Sequence, residues 1–240
     1  MLEGVILRRV ALLSALILAA CGGGDIPASL ASPTPAPTAS PTPSAAPTAA
    51  PTATEAPTTA AGGITFTVAS GSKAIVRINE QLADRTLPND AVLTSEKVSG
   101  EFTLLPDGTF APTSKIAVDL DGLESDNDLR DNTVKRSVLE TRRFPQAVFV
   151  PTKAEGLKQP LSVSTEQSFK LVGQMTIRGV TKELAFDVKA TPAASELRAS
   201  AQVAPAFQFA TFGMTQPRVF SVISIKDEIR LDVELVAKQK

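Results

Sequence analysis

From about residue 64 to the end of the chain, apolar and polar residues alternate with a period of two, the pattern of strands with one buried face. Ala74, Val76 and Ile78 share one face, and Arg77 and Asn79 take the other. Val98, Phe102 and Leu104 alternate with Ser99, Glu101 and Thr103, and Pro106-Asp107-Gly108 then supplies a turn. Ile116, Val118 and Leu120 oppose Lys115, Asp119 and Asp121. Phe169, Leu171, Met175 and Ile177 oppose Lys170, Gln174 and Thr176, and Arg178-Gly179-Val180-Thr181 turns the chain into Leu184, Phe186 and Val188. Leu197, Ala199, Ala201 and Val203 follow, and Ile229, Leu231, Val233 and Leu235 close the series. One segment departs from this rhythm. Ser125-Asp126-Asn127-Asp128 has a capping-box spacing, which predicts a helix running to about Arg142, and Phe144-Pro145 stops it. The pattern predicts an all-β domain of about eight antiparallel strands with one inserted helix. Such a sheet closes on itself or stacks as a sandwich. If it closes, the interior is either filled by side chains or holds one small ligand, and alternation does not choose.

The first 63 residues follow other rules. Residues 1–20 read as a signal peptide: Arg8 and Arg9 precede an apolar run, Val10 to Ala20, too short for the ~20 residues a bilayer span needs. Leu18-Ala19-Ala20-Cys21 resembles the bacterial lipobox, which implies cleavage before Cys21 and lipid attachment to it. Residues 21–63 are rich in Pro, Thr and Ala and hold half of the 18 prolines, with Glu55 the sole charge between Ile26 and Gly63. A segment so poor in large apolar side chains is expected to be a disordered tether. In polyproline form it would reach on the order of 100 Å at ~3.1 Å per residue. The folded domain is expected over residues 64–240.

Composition narrows the chemistry. Histidine, tyrosine and tryptophan are absent, which removes imidazole nucleophile activation and His metal sites. A single cysteine allows neither an intrachain disulfide nor a thiolate zinc cluster. Lys plus Arg number 24 against 25 Asp plus Glu. Glu3, Asp25 and Glu55 lie outside residues 64–240, as do Arg8 and Arg9, so that segment has no net charge. Nothing points to nucleic acid as a partner.

Several segments, read in order, resemble the YceI-like family of exported bacterial proteins. They are Val98-Ser99-Gly100-Glu101-Phe102, Ile116-Ala117-Val118-Asp119-Leu120 and Leu123 to Asp131. Phe144-Pro145-Gln146-Ala147-Val148-Phe149 and Leu171-Val172-Gly173-Gln174-Met175-Thr176-Ile177-Arg178-Gly179-Val180-Thr181-Lys182 are the most specific. Ala210-Thr211-Phe212-Gly213-Met214 stands where the family often has an "R-x-x-F-G" element, and the arginine is missing here. The resemblance implies an eight-stranded lipocalin-like barrel around an apolar tunnel that holds a polyisoprenoid, such as a quinone or an isoprenoid alcohol. It assigns Phe102, Leu104, Ile116, Val118, Phe149, Phe169, Leu171, Met175, Leu184 and Phe186 to the tunnel lining, where pattern alone reads a packed core.

The acidic stretch Asp119, Asp121, Glu124, Asp126, Asp128 and Asp131 fails as a calcium loop, because Gly122 and Arg130 stand at the wrong places. Arg136, Arg142 and Arg143 are expected to flank the helix end. No motif supplies a base for a nucleophilic serine, so catalysis is not expected. The expectation is a lipoprotein of the cell envelope, extracytoplasmic and anchored through Cys21, that sequesters or carries an isoprenoid lipid. It is non-catalytic, with no cofactor, no metal and no nucleic-acid partner, and a tunnel mouth could pair with a second copy. The competing expectation is a filled barrel serving as a structural or partner-recognition module.

Overall fold

Strands rich in Val, Ile, Phe and Thr bury one face and stack side by side. In the computed structural model, which describes residues 62–84, 86–218 and 222–240, ten strand segments are laid down in chain order. They are β1 (Ile64–Val68), β2 (Lys73–Leu82), β3 (Asn89–Ser95), β4 (Val98–Leu104), β5 (Lys115–Asp119), β6 (Gln146–Glu155), β7 (Gln167–Ile177), β8 (Val180–Pro192), β9 (Glu196–Val203) and β10 (Val222–Gln239). Every pairing is antiparallel, and the order β1-β4-β5-β6-β7-β8-β9-β10 returns to β1, closing the barrel.

The ten segments occupy eight positions around the wall. β1 and β2 lie end to end along one edge of β10, and β3 and β4 run end to end beside them. The expected eight-stranded barrel is therefore present, with two of its staves kinked. A kink leaves backbone groups without a ladder partner, and serine hydroxyls fill the places. Ser72 Oγ accepts from the Val236 amide at 2.9 Å, and its single proton is shared between the Ala69 and Val236 carbonyls. Ser95 Oγ donates to the Asp119 carbonyl at 2.8 Å across the second kink. Ser114 Oγ accepts from the Thr103 amide at 3.0 Å. All three serines are buried, and their bonds meet the cost of hiding polar atoms. Among the described residues no buried side-chain nitrogen or oxygen lacks a partner.

The inserted helix is shorter than the sequence predicts. α1 (Asp128–Thr133) continues as one π-helical turn to Val138 and stops there, not at Arg142. Glu140 takes a left-handed conformation (φ 51°), which no helix can pass through. The cap also differs. Asn127 is the N-cap and accepts from the Leu129 and Arg130 amides. Ser125 instead donates its hydroxyl to the buried Asp131 carboxylate at 2.5 Å. Arg143, past the helix, pairs with Glu140 and lies over the Phe144 ring.

The hairpin expected at Arg178-Gly179 joins β7 and β8. Both residues have positive φ (52° and 75°), the signature of a type I′ turn whose twist suits the strands it joins.

Candidate functional site

Inward side chains of the barrel leave space between them. A chamber of about 180 Å³ is walled by Ala, Val, Ile, Leu, Met, Phe and Pro, with no polar side chain in the lining. It exceeds the engineered apolar cavity of about 150 Å³ that stays dry and binds benzene or xenon. A second chamber of about 70 Å³ lies toward the opposite end, and Gln167 is the one polar side chain in its lining. Ile116, Leu171, Val188, Ala199 and Leu235 border both chambers. Because the lumen is open, inner-face residues such as Val76, Leu171, Ala199, Ala201 and Val233 are only half-buried.

The chambers are closed differently. At the outer end of the first, Val134, Val138 and Leu139 of the helical insertion meet Phe207, Phe209, Met214 and Pro217 from the segment between β9 and β10. Phe209 to Phe212 form a single 3-10 turn, ended by Gly213 in the left-handed region (φ 64°). Phe212 packs edge-on against Phe207 at 5.1 Å and is fully buried. At the far end of the second chamber, Phe66 stacks on Phe102 (5.4 Å) and Phe110 meets Phe102 edge-on (6.2 Å).

Charged pairs hold the covering segments in place. Glu80, on the inward side of β2 and 6% exposed, pairs with Arg130 of α1 at 2.8 Å. Arg130 also pairs with Asp126. Burial alone would lower the pKa of Arg130, but the hydrogen bond to Asp126 and the charge of Glu80 outweigh it and raise it. Arg178, at the β7–β8 turn, pairs with Glu140 after the helical insertion and donates to the Gly213 carbonyl at 2.5 Å. One guanidinium thus ties both covering segments to the barrel, and its bond to Glu140 holds that carboxyl below the usual glutamate range. The 210–214 element lacks its arginine, and Arg178 of the adjoining β7–β8 turn donates to the Gly213 carbonyl of this element.

Nine of the ten residues assigned to the lining face the lumen. Ile116, Val118, Phe149, Leu171, Met175 and Phe186 line the first chamber, and Phe102, Leu104 and Phe169 line the second. Leu184 does not. It shares the Phe186 face, but it lies nearer the start of β8 and borders an outer groove with Pro205, Phe207 and Gln208. The glycine opposite it has a physical reason. A Cβ on Gly173 would come within 2.5 Å of the Phe149 ring, so only glycine lets that ring turn inward, where it meets Phe186 edge-on at 5.2 Å.

Sequence reasoning missed part of the lining. Ala199 and Ala201 on β9, Val76 and Ile78 on β2 and the inward residues of β10 all alternate visibly, yet alternation did not single them out. The helical and loop contributors, Val138, Phe207 and Met214 among them, carry no periodic signal. The acidic stretch resolves into structural roles: Asp119 accepts from the Asp121 amide, and Asp121 accepts from the Thr141 hydroxyl. Among the described residues no group of three or more metal-ligating side chains is arranged to hold a cation, and no helix is long and apolar enough to cross a bilayer. Cys21 and the segments before residue 62 lie outside the described residues.

Comparison with known proteins gives one family. Residues 54–237 match the model of the YceI-like domain. A solved polyisoprenoid-binding domain from Saccharophagus degradans, implicated in plant cell wall breakdown, aligns with a TM-score of 0.57 at 13% identity, over 73% of this chain and 98% of that one. BcnA of Burkholderia cenocepacia aligns at 0.51 with 15% identity, over 70% of this chain and 98% of its own. A Campylobacter jejuni YceI protein aligns at 0.50 with 18% identity, over 67% and 91%. No curated protein matches the chain in sequence.

Proposed function

The chain belongs to the YceI-like domain family, and from that premise we propose that it binds a polyisoprenoid lipid, a quinone or an isoprenoid alcohol, inside its barrel. The observation that carries the reading is the lumen itself: two apolar chambers meet at a shared ring, with no polar side chain in the larger one. A branched, flexible hydrocarbon needs such a wall and makes no hydrogen bonds that the wall would have to answer. At ~0.8 kcal/mol per buried carbon, a forty-carbon tail gains roughly 30 kcal/mol by leaving water. That exceeds the practical ceiling of about 20 kcal/mol on affinity, so the bilayer, as a competing solvent for the tail, must cancel much of it. Near-balance with the membrane suits a carrier or store.

In the same proposal the protein is a non-catalytic lipoprotein of the cell envelope, acylated at Cys21, with the 21–63 segment as its tether. The ligand is cargo rather than cofactor. Organic extraction of the full chain purified from a bacterial membrane fraction, followed by mass spectrometry, tests the reading. An isoprenoid in stoichiometric amount is expected. An extract free of isoprenoids, together with no uptake of ubiquinone or polyprenol from detergent micelles, would overturn it.

A further inference from the structure

The two chambers share a boundary of five residues, one on each of five strands. Five strands pass from one to the other at a single inward residue, whereas β6 passes from Phe149 to Pro151 without sharing one. On β7, Met175 faces the first chamber, Leu171 both and Phe169 the second; on β8 the series is Phe186, Val188 and Ala190. On β9 it is Ala201, Ala199 and Leu197. Leu235 of β10 and Ile116 of β5 are the remaining members of this ring, which β6 and the β1–β4 side leave open. The register pairs Ala199 with Leu235 on one side and with Ala190, the inward position next to Val188, on the other, while Leu171 pairs with Phe186, the inward position before Val188. Four members are branched and bulky. Ala199 alone is small.

We propose that this ring gauges chain length, with Ala199 as the residue that admits a long isoprenoid tail from the first chamber into the second. The proposal rests on the isoprenoid reading of the lumen and adds to it which tails bind. Along β7 the first chamber runs from Ile177 to Leu171, about 20 Å of strand, and the second from Leu171 to Gln167, about 13 Å. A short tail is housed by the first chamber alone. A long one must cross the ring. A larger side chain at position 199 projects into the ring, where its neighbours on adjacent strands leave it nowhere else to go.

The test uses the delipidated full chain in detergent micelles with two labelled alcohols of the same head group, farnesol and the much longer solanesol. Bound alcohol is measured after gel filtration, since the chain has no Trp or Tyr to serve as an intrinsic reporter. Wild type is expected to take up both. Ala199→Phe should lose at least about tenfold more affinity for solanesol than for farnesol. Ala199→Val, a gentler change that guards against misfolding, should fall between. The gauge is overturned if both variants bind solanesol as wild type does. It is equally overturned if either loses the two alcohols in parallel while its circular dichroism stays native. If wild type binds neither alcohol, the isoprenoid reading itself fails and the gauge falls with it.

Discussion

The covered end of the barrel and its waist follow the same rule of inward apolar residues and reach opposite results. At the covered end, Phe212 is 0% exposed and wedged against Phe207, with Leu123 and Val138 part of the same buried core. At the waist, Leu171, Ala199 and Leu235 also point inward, yet they keep accessible surface because the space beside them is empty. Val188 is buried at the waist as well, but the residues around it that face empty space give up dispersion contacts that a filled core would have. A protein that needed only stability would not leave that space unfilled, and its retention fits a ligand that completes the wall.

The contrast can be broken by truncation at the two places. Phe212→Ala should destabilise the protein by about 3–5 kcal/mol, because a tightly packed ring leaves a new cavity that its neighbours cannot close. Leu171→Ala should cost only about 1–2 kcal/mol, since the lost atoms already border a void and little new cavity surface is made. Denaturant unfolding of the delipidated protein measures both, and equal costs would mean that the waist is as well packed as the end.

Much of this was legible in the sequence, and the reasons are particular. The strands that held a clean alternation, β2, β4, β5, β7, β8, β9 and β10, stand where the pattern put them. β1, β3 and β6 did not stand out, because β1 has only five residues, β3 starts on the polar Asn89-Asp90 and the irregularity between Pro151 and Lys153 breaks the period of β6. The kinks were invisible, since they depend on buried Ser72 and Ser95 bonding to backbone atoms far along the chain. The helix end was overestimated because the left-handed turn at Glu140 is fixed by a partner, Arg178, from another hairpin. Leu184 looked like lining because face can be read from parity. Depth along the barrel cannot.

The charged ties of the covered end give a smaller effect, with a sign set by linkage. The Arg178 guanidinium keeps the Glu140 carboxyl below its ordinary value of 4.5, so the ionised form favours the folded state. The contribution is complete above that value and is lost as the pH falls through the depressed folded pKa. The stability difference between wild type and Glu140→Gln should therefore be constant from neutral pH down to about 4.5 and shrink below it. A difference that instead grows on acidification would contradict the pairing. Partial exposure of both side chains keeps the effect modest.

The claim on which everything else depends is that the barrel is hollow. Diffraction from crystals of the delipidated protein under xenon pressure tests it most directly, because xenon settles in dry apolar voids without needing a polar contact. Xenon should appear in the chamber bounded by Phe149, Met175, Phe186 and Leu231, and a second site should appear beyond the ring, near Phe169. A lumen that takes up no xenon, with Phe149 and Leu171 turned inward to meet their neighbours across it, would contradict the account.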